Sequence, residues 1–272
     1  AGEGVQVLTR TLIPTYNRAK VVNDIAALTR VHPILLDETQ KTAITNCCVK
    51  PGGVSVIFGP PGTGKTHTTL ILLLIMAQTQ PYRLKVLFVA RNNVAVIGAK
   101  TKFDKLKGSA KKAGLRIDID VTFRTAYKAG KELGEDKRKL RSMDVVFVEE
   151  ASLLSMWTMA PVLAWRKLTG RIILLGDFKQ LPPICALEPK TPEVRALCGS
   201  ILDAAVPAEV RTETARNNLP DHVHMLAVNY RQCETLAEVC SFGYPEAYRF
   251  SGTNPQLPWR EHEAADEGWG GA

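Results

Sequence analysis

An α/β fold, a parallel sheet covered on both faces by helices, is predicted by three features of this 272-residue sequence. Apolar runs of strand length alternate with stretches of helical length. The runs are apolar throughout, the pattern of strands buried on both faces. Polar clusters fall where several of them stop, at the carboxyl edge where such sheets hold ligands.

The composition agrees. Hydrophobic residues make up 45% and charged residues 23%, enough for a real core. A net charge of +8 suits a polyanionic partner as readily as it suits solubility. The six cysteines form no C-x-x-C pair, which argues against a zinc site and for small buried hydrophobes in a reducing compartment. The first four residues show no secretory pattern, and the longest apolar run, Leu70 to Ala77, is too short to span a bilayer. A soluble protein of the cytoplasm or nucleus with no membrane partner is expected.

Taken in order, residues 1–30 read as a lead-in or the tail of a preceding domain, with a weakly helical stretch from Val21 to Leu28. Asp37 or Thr39 can cap a short helix through Ala43 and Ile44. Val54 to Phe58 is a buried strand, and Thr66 to Gln78 a helix apolar nearly all round, hence covered on several sides. Leu84 to Ala90 is the next buried strand. Asn92-Asn93 starts a helix that turns basic at Lys100, Lys102, Lys105, Lys107, Lys111 and Lys112, either a solvated face or a nucleic-acid patch. Leu115 to Val121 alternates and should lie half-exposed near an edge, followed by a strand-to-helix junction at Thr122 to Ala126. Gly134 to Lys139 reads as a charged loop.

Asp144 to Val148 is a third buried strand, Met156 to Leu168 a helix, and Arg171 to Leu175 a fourth strand. Thr191-Pro192-Glu193 combines a capping hydroxyl, proline at the first position and an early acid, so a helix should run to about Ala204. His222 to Val228 reads as a strand and Cys233 to Phe242 as a short helix. Beyond Thr253 no periodicity remains, and a loop or disordered tail is expected. Residues 31–228 thus form one lobe, and 229–272 the start of a second lobe or a tail.

The chemistry centres on Gly59-Pro60-Pro61-Gly62-Thr63-Gly64-Lys65-Thr66, with His67 directly after it. Gly59, Gly64, Lys65 and Thr66 fit G-x-x-x-x-G-K-[ST] between a strand and a helix. Glycines let the backbone turn its N–H groups inward as an anion nest, and the new helix adds its positive end. Lys65 can reach β- and γ-phosphates and Thr66 can ligate Mg²⁺, so a nucleoside triphosphate is the expected ligand. Glu149 ends a buried strand in position for a metal, and Glu150 can act on an attacking water. No histidine shows metal-ligand spacing.

The loop, Glu149-Glu150-Ala151-Ser152, Gly176-Asp177-Phe178-Lys179-Gln180-Leu181-Pro182-Pro183 and Asn229-Tyr230-Arg231 occur in that order. Together they resemble the first RecA-like lobe of a superfamily-1 helicase, nearest the group typified by the nonsense-mediated-decay RNA helicase, over roughly Leu35 to Phe250. The resemblance implies a RecA-like P-loop NTPase fold and ATP as cofactor with Mg²⁺. It implies that Gln40 reads the adenine edge and that Tyr230 stacks near the base. Asp177 and Gln180 would sense the γ-phosphate, and Arg231 would reach it from the second lobe's side. Glu149 stands where the family has its Mg²⁺-binding aspartate, and Glu150 where it has the catalytic glutamate. Asn93 and Val94, and then Thr122 and Arg124, stand where the family touches single-stranded RNA or DNA.

Two departures matter. Glu149 adds a methylene to a metal ligand, which is expected to hold Mg²⁺ less directly. No counterpart of a complete second lobe follows Arg231, so a second lobe in cis or in trans is the expected partner. Alternative readings are a nucleotide-dependent scaffold with little turnover and a ring-forming ATPase sharing the same loop.

Overall fold

The computed structural model describes residues 17–31, 36–50, 53–184, 190–206, 219–231 and 249–250. The elements run α1 (Arg18–Val31), α2 (Glu38–Val49), β1 (Gly53–Phe58), α3 (Lys65–Thr79), β2 (Leu84–Ala90), α4 (Asn93–Lys112), β3 (Ile119–Thr125) and α5 (Ala126–Glu135). They continue with β4 (Met143–Val148), α6 (Met156–Leu163), β5 (Arg166–Gly176), α7 (Pro192–Cys198), α8 (Ile201–Ala205), β6 (Val223–Met225), β7 (Val228–Asn229) and β8 (Arg249–Phe250).

Six strands form one parallel sheet in the order β3-β2-β4-β5-β1-β6, and β7 pairs with β8 separately. Successive side chains of each central strand enter opposite layers, as the pleat requires. Ile57, Phe88, Phe147 and Ile173 join α1 to α4 in one core, whereas Val56, Val89, Val148 and Leu174 join α5, α6 and α8 in the other. The expected parallel sheet covered on both faces is present. The order also puts the carboxyl ends of β4, β5 and β1 side by side.

Several boundaries differ from the sequence reading. The weakly helical stretch is the longer α1, whose Val21, Ile25 and Leu28 are buried in the first core. The half-exposed strand does lie at an edge, but as Ile119–Thr125 rather than from Leu115. Just before it, the Gln78 side chain rather than a ladder receives the Arg116 N–H (2.8 Å). The charged loop is mostly the end of α5 and a 3-10 turn capped by Asp136. The expected strand over His222 to Val228 is interrupted where Leu226 donates its N–H to the Phe58 carbonyl (2.8 Å).

Helix α6 stops at Leu163, not Leu168. The Met143 N–H takes the Trp165 carbonyl (2.8 Å), and Arg166 then pairs with Met143, drawing the chain into β5. The single helix expected from Thr191 to Ala204 is two. Gly199 accepts from the Met156 N–H (2.9 Å) and Ser200 caps a new helix at the Asp203 N–H (2.9 Å). The expected helix over Cys233 to Phe242 and the tail beyond Thr253 lie outside the described residues.

Cys47 and Cys48 are buried free thiols, and burial pushes Cys47 up to about 12, in keeping with an inert packing role. Beside them Arg171 donates to the Cys47 (2.6 Å) and Cys48 (3.2 Å) carbonyls at the end of α2. The second core is centred on Trp165, 1% exposed, whose indole N–H reaches the Ala129 carbonyl (3.1 Å). Trp165→Ala is expected to lower unfolding free energy by about 3–5 kcal/mol, read by denaturant titration. A loss under 1 kcal/mol would contradict this packing.

Candidate functional site

The site is built where β1 ends. Phe58 passes into a tight loop in which Gly62 (φ 86°) and Gly64 (φ 76°) adopt the left-handed conformation that glycine tolerates. Gly64 is the cap residue of α3, so Lys65 and Thr66 open the first turn with their N–H groups at its positive end. The loop is clamped from one side by the chain after β6. Tyr230 N–H donates to the Gly62 carbonyl (3.0 Å), and a Cβ at Gly62 would overlap Asn229 and Arg231. A Cβ at Gly59 would stand 2.5 Å from the Leu226 carbonyl. Thr63, fully buried, donates to the Pro60 carbonyl (2.9 Å).

The Lys65 ammonium folds back on the loop, donating to the Gly59 (2.7 Å) and Pro60 (3.0 Å) carbonyls. Burial lowers its pKa to about 8; Asp177 opposes the shift and Arg231 adds to it. Thr66 donates its hydroxyl proton to Glu149 Oε1, across from the end of β1 to the end of β4. Burial raises the Glu149 pKa, and the Thr66 hydrogen bond works against that rise. The other oxygen, Glu149 Oε2, is buried with no hydrogen-bond partner among the described residues. An orphaned carboxylate oxygen beside a threonine hydroxyl fits a hard divalent cation. Among the described residues no group of three or more His, Cys, Asp or Glu could hold a metal. Thr66 and Glu149 are the residues here that would hold such a cation.

A cavity of about 200 Å³ opens above these groups, lined by Pro61, Gly62, Gly64, Lys65, Thr66 and His67 on the loop side. Glu149, Glu150, Gly176, Gln180 and Arg231 complete it with Leu175 and Lys102. Gly59, Pro60 and Thr63 are buried beneath. Glu150 has a left-handed backbone (φ 53°), unusual for a side-chain-bearing residue, at the turn following β4. Asp177, 2% exposed, orders the turn carrying Gln180 by accepting the Lys179 N–H (3.0 Å).

Two expected ligand residues sit behind the loop rather than in the cavity. Gln40 is 2% exposed, its amide donating to the Thr63 carbonyl (3.1 Å) and accepting from the Asp37 N–H (3.2 Å). Tyr230 donates its hydroxyl to Asp37 (2.7 Å), so Tyr230, Asp37 and Gln40 brace the loop as a chain. Burial and the Asp37 carboxylate raise the Tyr230 pKa, keeping that hydroxyl a donor.

The residues expected to meet nucleic acid are not brought to the cavity. Asn93 and Val94 are exposed on the first turn of α4, Val94 81% so. Thr122 and Arg124 lie on edge strand β3, with Arg124 paired to Glu132 of α5 at 2.7 Å. Burial raises the Glu132 carboxyl, but Lys139 and Arg124 outweigh it and hold the pKa below its ordinary value.

A family model described as "AAA domain" matches residues 35–190. RecBCD enzyme subunit RecD of Haemophilus influenzae is 27% identical over 157 residues, covering 53% of this chain and 24% of that protein. Its Mycobacterium tuberculosis counterpart is 26% identical over 194 residues, covering 68% of this chain and 33% of that protein. The chain thus spans a quarter to a third of the length of these curated relatives. Among solved structures, Pif1 helicase from Candida albicans superposes with a TM-score of 0.41 at 16% identity, covering 73% of this chain and 41% of that one. The HK97 bacteriophage large terminase gives 0.49 at 12% identity, covering 90% and 51%. No helix among the described residues is long and apolar enough to cross a membrane.

Proposed function

The chain belongs to this AAA domain family, with a superfamily-1 helicase-like P-loop domain, and on that premise we propose that it is the ATP-hydrolysing first lobe of a motor on single-stranded nucleic acid. The observation that carries this is the meeting of Lys65, Thr66, Glu149, Glu150, Gln180 and Arg231 around one cavity. Lys65 and the loop amides hold the β- and γ-phosphates. Thr66 and Glu149 would hold Mg²⁺, which would supply Lewis-acid stabilisation of phosphate charge. Glu150 orients and deprotonates the attacking water, Gln180 and Asp177 register the γ-phosphate, and Arg231 faces the developing negative charge. Gln40 reads the adenine edge and Tyr230 stacks near the base, both beside the loop they brace. Asn93, Val94, Thr122 and Arg124 meet the strand, and a second lobe in cis or in trans closes over ATP. The finer placement, near the nonsense-mediated-decay group, rests on the order of the four motifs, and a cytoplasmic or nuclear location on the cysteine usage.

The test is ATP hydrolysis by the complete protein with and without single-stranded RNA or DNA. Stimulation is expected, with log affinity falling by about 0.7 per contacted phosphate per log unit of salt. Hydrolysis indifferent to both strands at low salt would refute the motor. A scaffold with little turnover is favoured by the longer Glu149; tight ATP binding without hydrolysis by the complete protein would support it.

The lowered Lys65 pKa gives a pH prediction. Bound phosphate favours the ammonium, so binding above about pH 8 must take up a proton, and affinity should fall up to tenfold per pH unit there. Without ligand, the unfolded chain holds that proton up to about 10.5, so stability gains from this group as pH rises from about 8 to 10.5. Calorimetry at pH 8.5 in two buffers of different ionisation enthalpy should show unequal binding heats. Equal heats would rule the linkage out.

A further inference from the structure

We infer that the Lys102 ammonium is a phosphate-binding group, supplied by α4 and set against the terminal phosphate of a bound nucleoside triphosphate. This rests on the nucleotide-binding reading above and adds a residue that none of the four motifs contains.

The helix geometry places it. Ala99, Phe103, Leu106 and Ala110 form the buried stripe of α4, which packs beside α3, the helix that starts at the phosphate loop. Lys102 precedes Phe103, three residues after Ala99 and four before Leu106, so it stands at the border of that stripe. From a border position a lysine can lay its stem along apolar surface and carry its charge into a neighbouring hollow. Of the six lysines on α4, Lys102 alone lines the cavity.

Its partners there are the telling part. Lys102 lines the same cavity as Thr66, Glu149 and Glu150, the residues read above as the metal and water groups of the site. Gln40 and Tyr230, the base-side pair, do not line it. Lys102 is one of the cationic neighbours of the Glu149 carboxylate. Among the described residues the Lys102 ammonium makes no hydrogen bond or ion pair. Lys139 and Lys167, by contrast, are each held by a carboxylate at 2.7 Å and 2.6 Å. The cavity is lined by three cations, Lys65, Lys102 and Arg231, and two carboxylates, Glu149 and Glu150. That surplus of positive charge suits a ligand that stays anionic after taking its metal. ADP has no oxygens at the Glu150 end, so the lysine should distinguish the triphosphate from the diphosphate.

The experiment is equilibrium binding of a non-hydrolysable ATP analogue and of ADP, each with Mg²⁺, to the 272-residue chain. Wild type, Lys102→Ala, Lys102→Arg and Lys65→Ala are compared, with thermal melts confirming that each is folded. Lys102→Ala is expected to weaken the analogue about tenfold and ADP less than twofold, with Lys102→Arg restoring most of the loss. Equal weakening of both ligands, or no weakening, would overturn the assignment to the terminal phosphate while leaving the nucleotide site standing. If wild type binds neither ligand, or Lys65→Ala binds as wild type does, the nucleotide reading falls and Lys102 falls with it.

Discussion

Lys65→Ala is expected to weaken Mg²⁺–ATP binding by roughly 100-fold or more and to take turnover below detection. The ammonium is the deepest cation of the site, and the carbonyls it now contacts, Gly59 and Pro60, belong to the loop itself. Moving from those carbonyls to phosphate exchanges neutral acceptors for charged ones. Each charge-assisted hydrogen bond contributes roughly 1.5–3 kcal/mol, so losing two removes at least two decades of affinity. The loop should survive the change. Its conformation is held independently by the Thr63 hydroxyl on Pro60, the Tyr230 N–H on Gly62 and the Gln40 amide on Thr63. Calorimetry on a variant with unaltered circular dichroism reads the effect. Affinity within threefold of wild type would place the triphosphate elsewhere.

Glu150→Gln should separate binding from chemistry. The carboxylate lines the cavity, and no hydrogen bond holds its oxygens among the described residues. The left-handed backbone at this position presents the side chain at the turn after β4, and glutamine keeps that backbone and the side-chain length. Only the capacity to take a proton from water is lost. Turnover should fall by about 10²–10⁴-fold, the usual contribution of general base catalysis, while analogue affinity stays within a fewfold of wild type. Single-turnover hydrolysis beside equilibrium binding makes the distinction. Turnover reduced less than tenfold would move the base to another residue.

Those two positions were legible because backbone physics writes them into the sequence. A strand buried on both faces is apolar over its buried stretch, so the carboxyl-terminal halves of β1, β2, β4 and β5 stand out. A polar residue directly after such a run sits at the carboxyl edge. The loop glycines read as the residues that let the backbone turn, and two of them, Gly62 and Gly64, do adopt positive φ. Sheet order is what joins the clusters: β4, β5 and β1 are neighbours, so Glu149, Asp177 and the loop end together. Other features depend on tertiary partners that local sequence does not reveal. Trp165 reads as part of a helix until its indole finds Ala129 and its carbonyl finds Met143. Gln40 takes its adenine-edge role from the resemblance, and local sequence does not show that Asp37 and Thr63 hold its amide. Lys102 is one of six lysines, and only the rotation of α4 against α3 separates it from the other five. Spacing narrows the choice without making it: Lys102, between Ala99 and Leu106, and Lys107, between Phe103 and Ala110, stand at the two margins of the buried stripe.

The most direct measurement is a crystal structure of the chain with a non-hydrolysable ATP analogue and Mg²⁺. The account predicts the phosphates in the cavity, with the Lys65 ammonium moved from the Gly59 and Pro60 carbonyls onto phosphate oxygens and the cation between Thr66 and Glu149. Lys65 still bonded to those carbonyls, with the analogue bound at another surface, would contradict it.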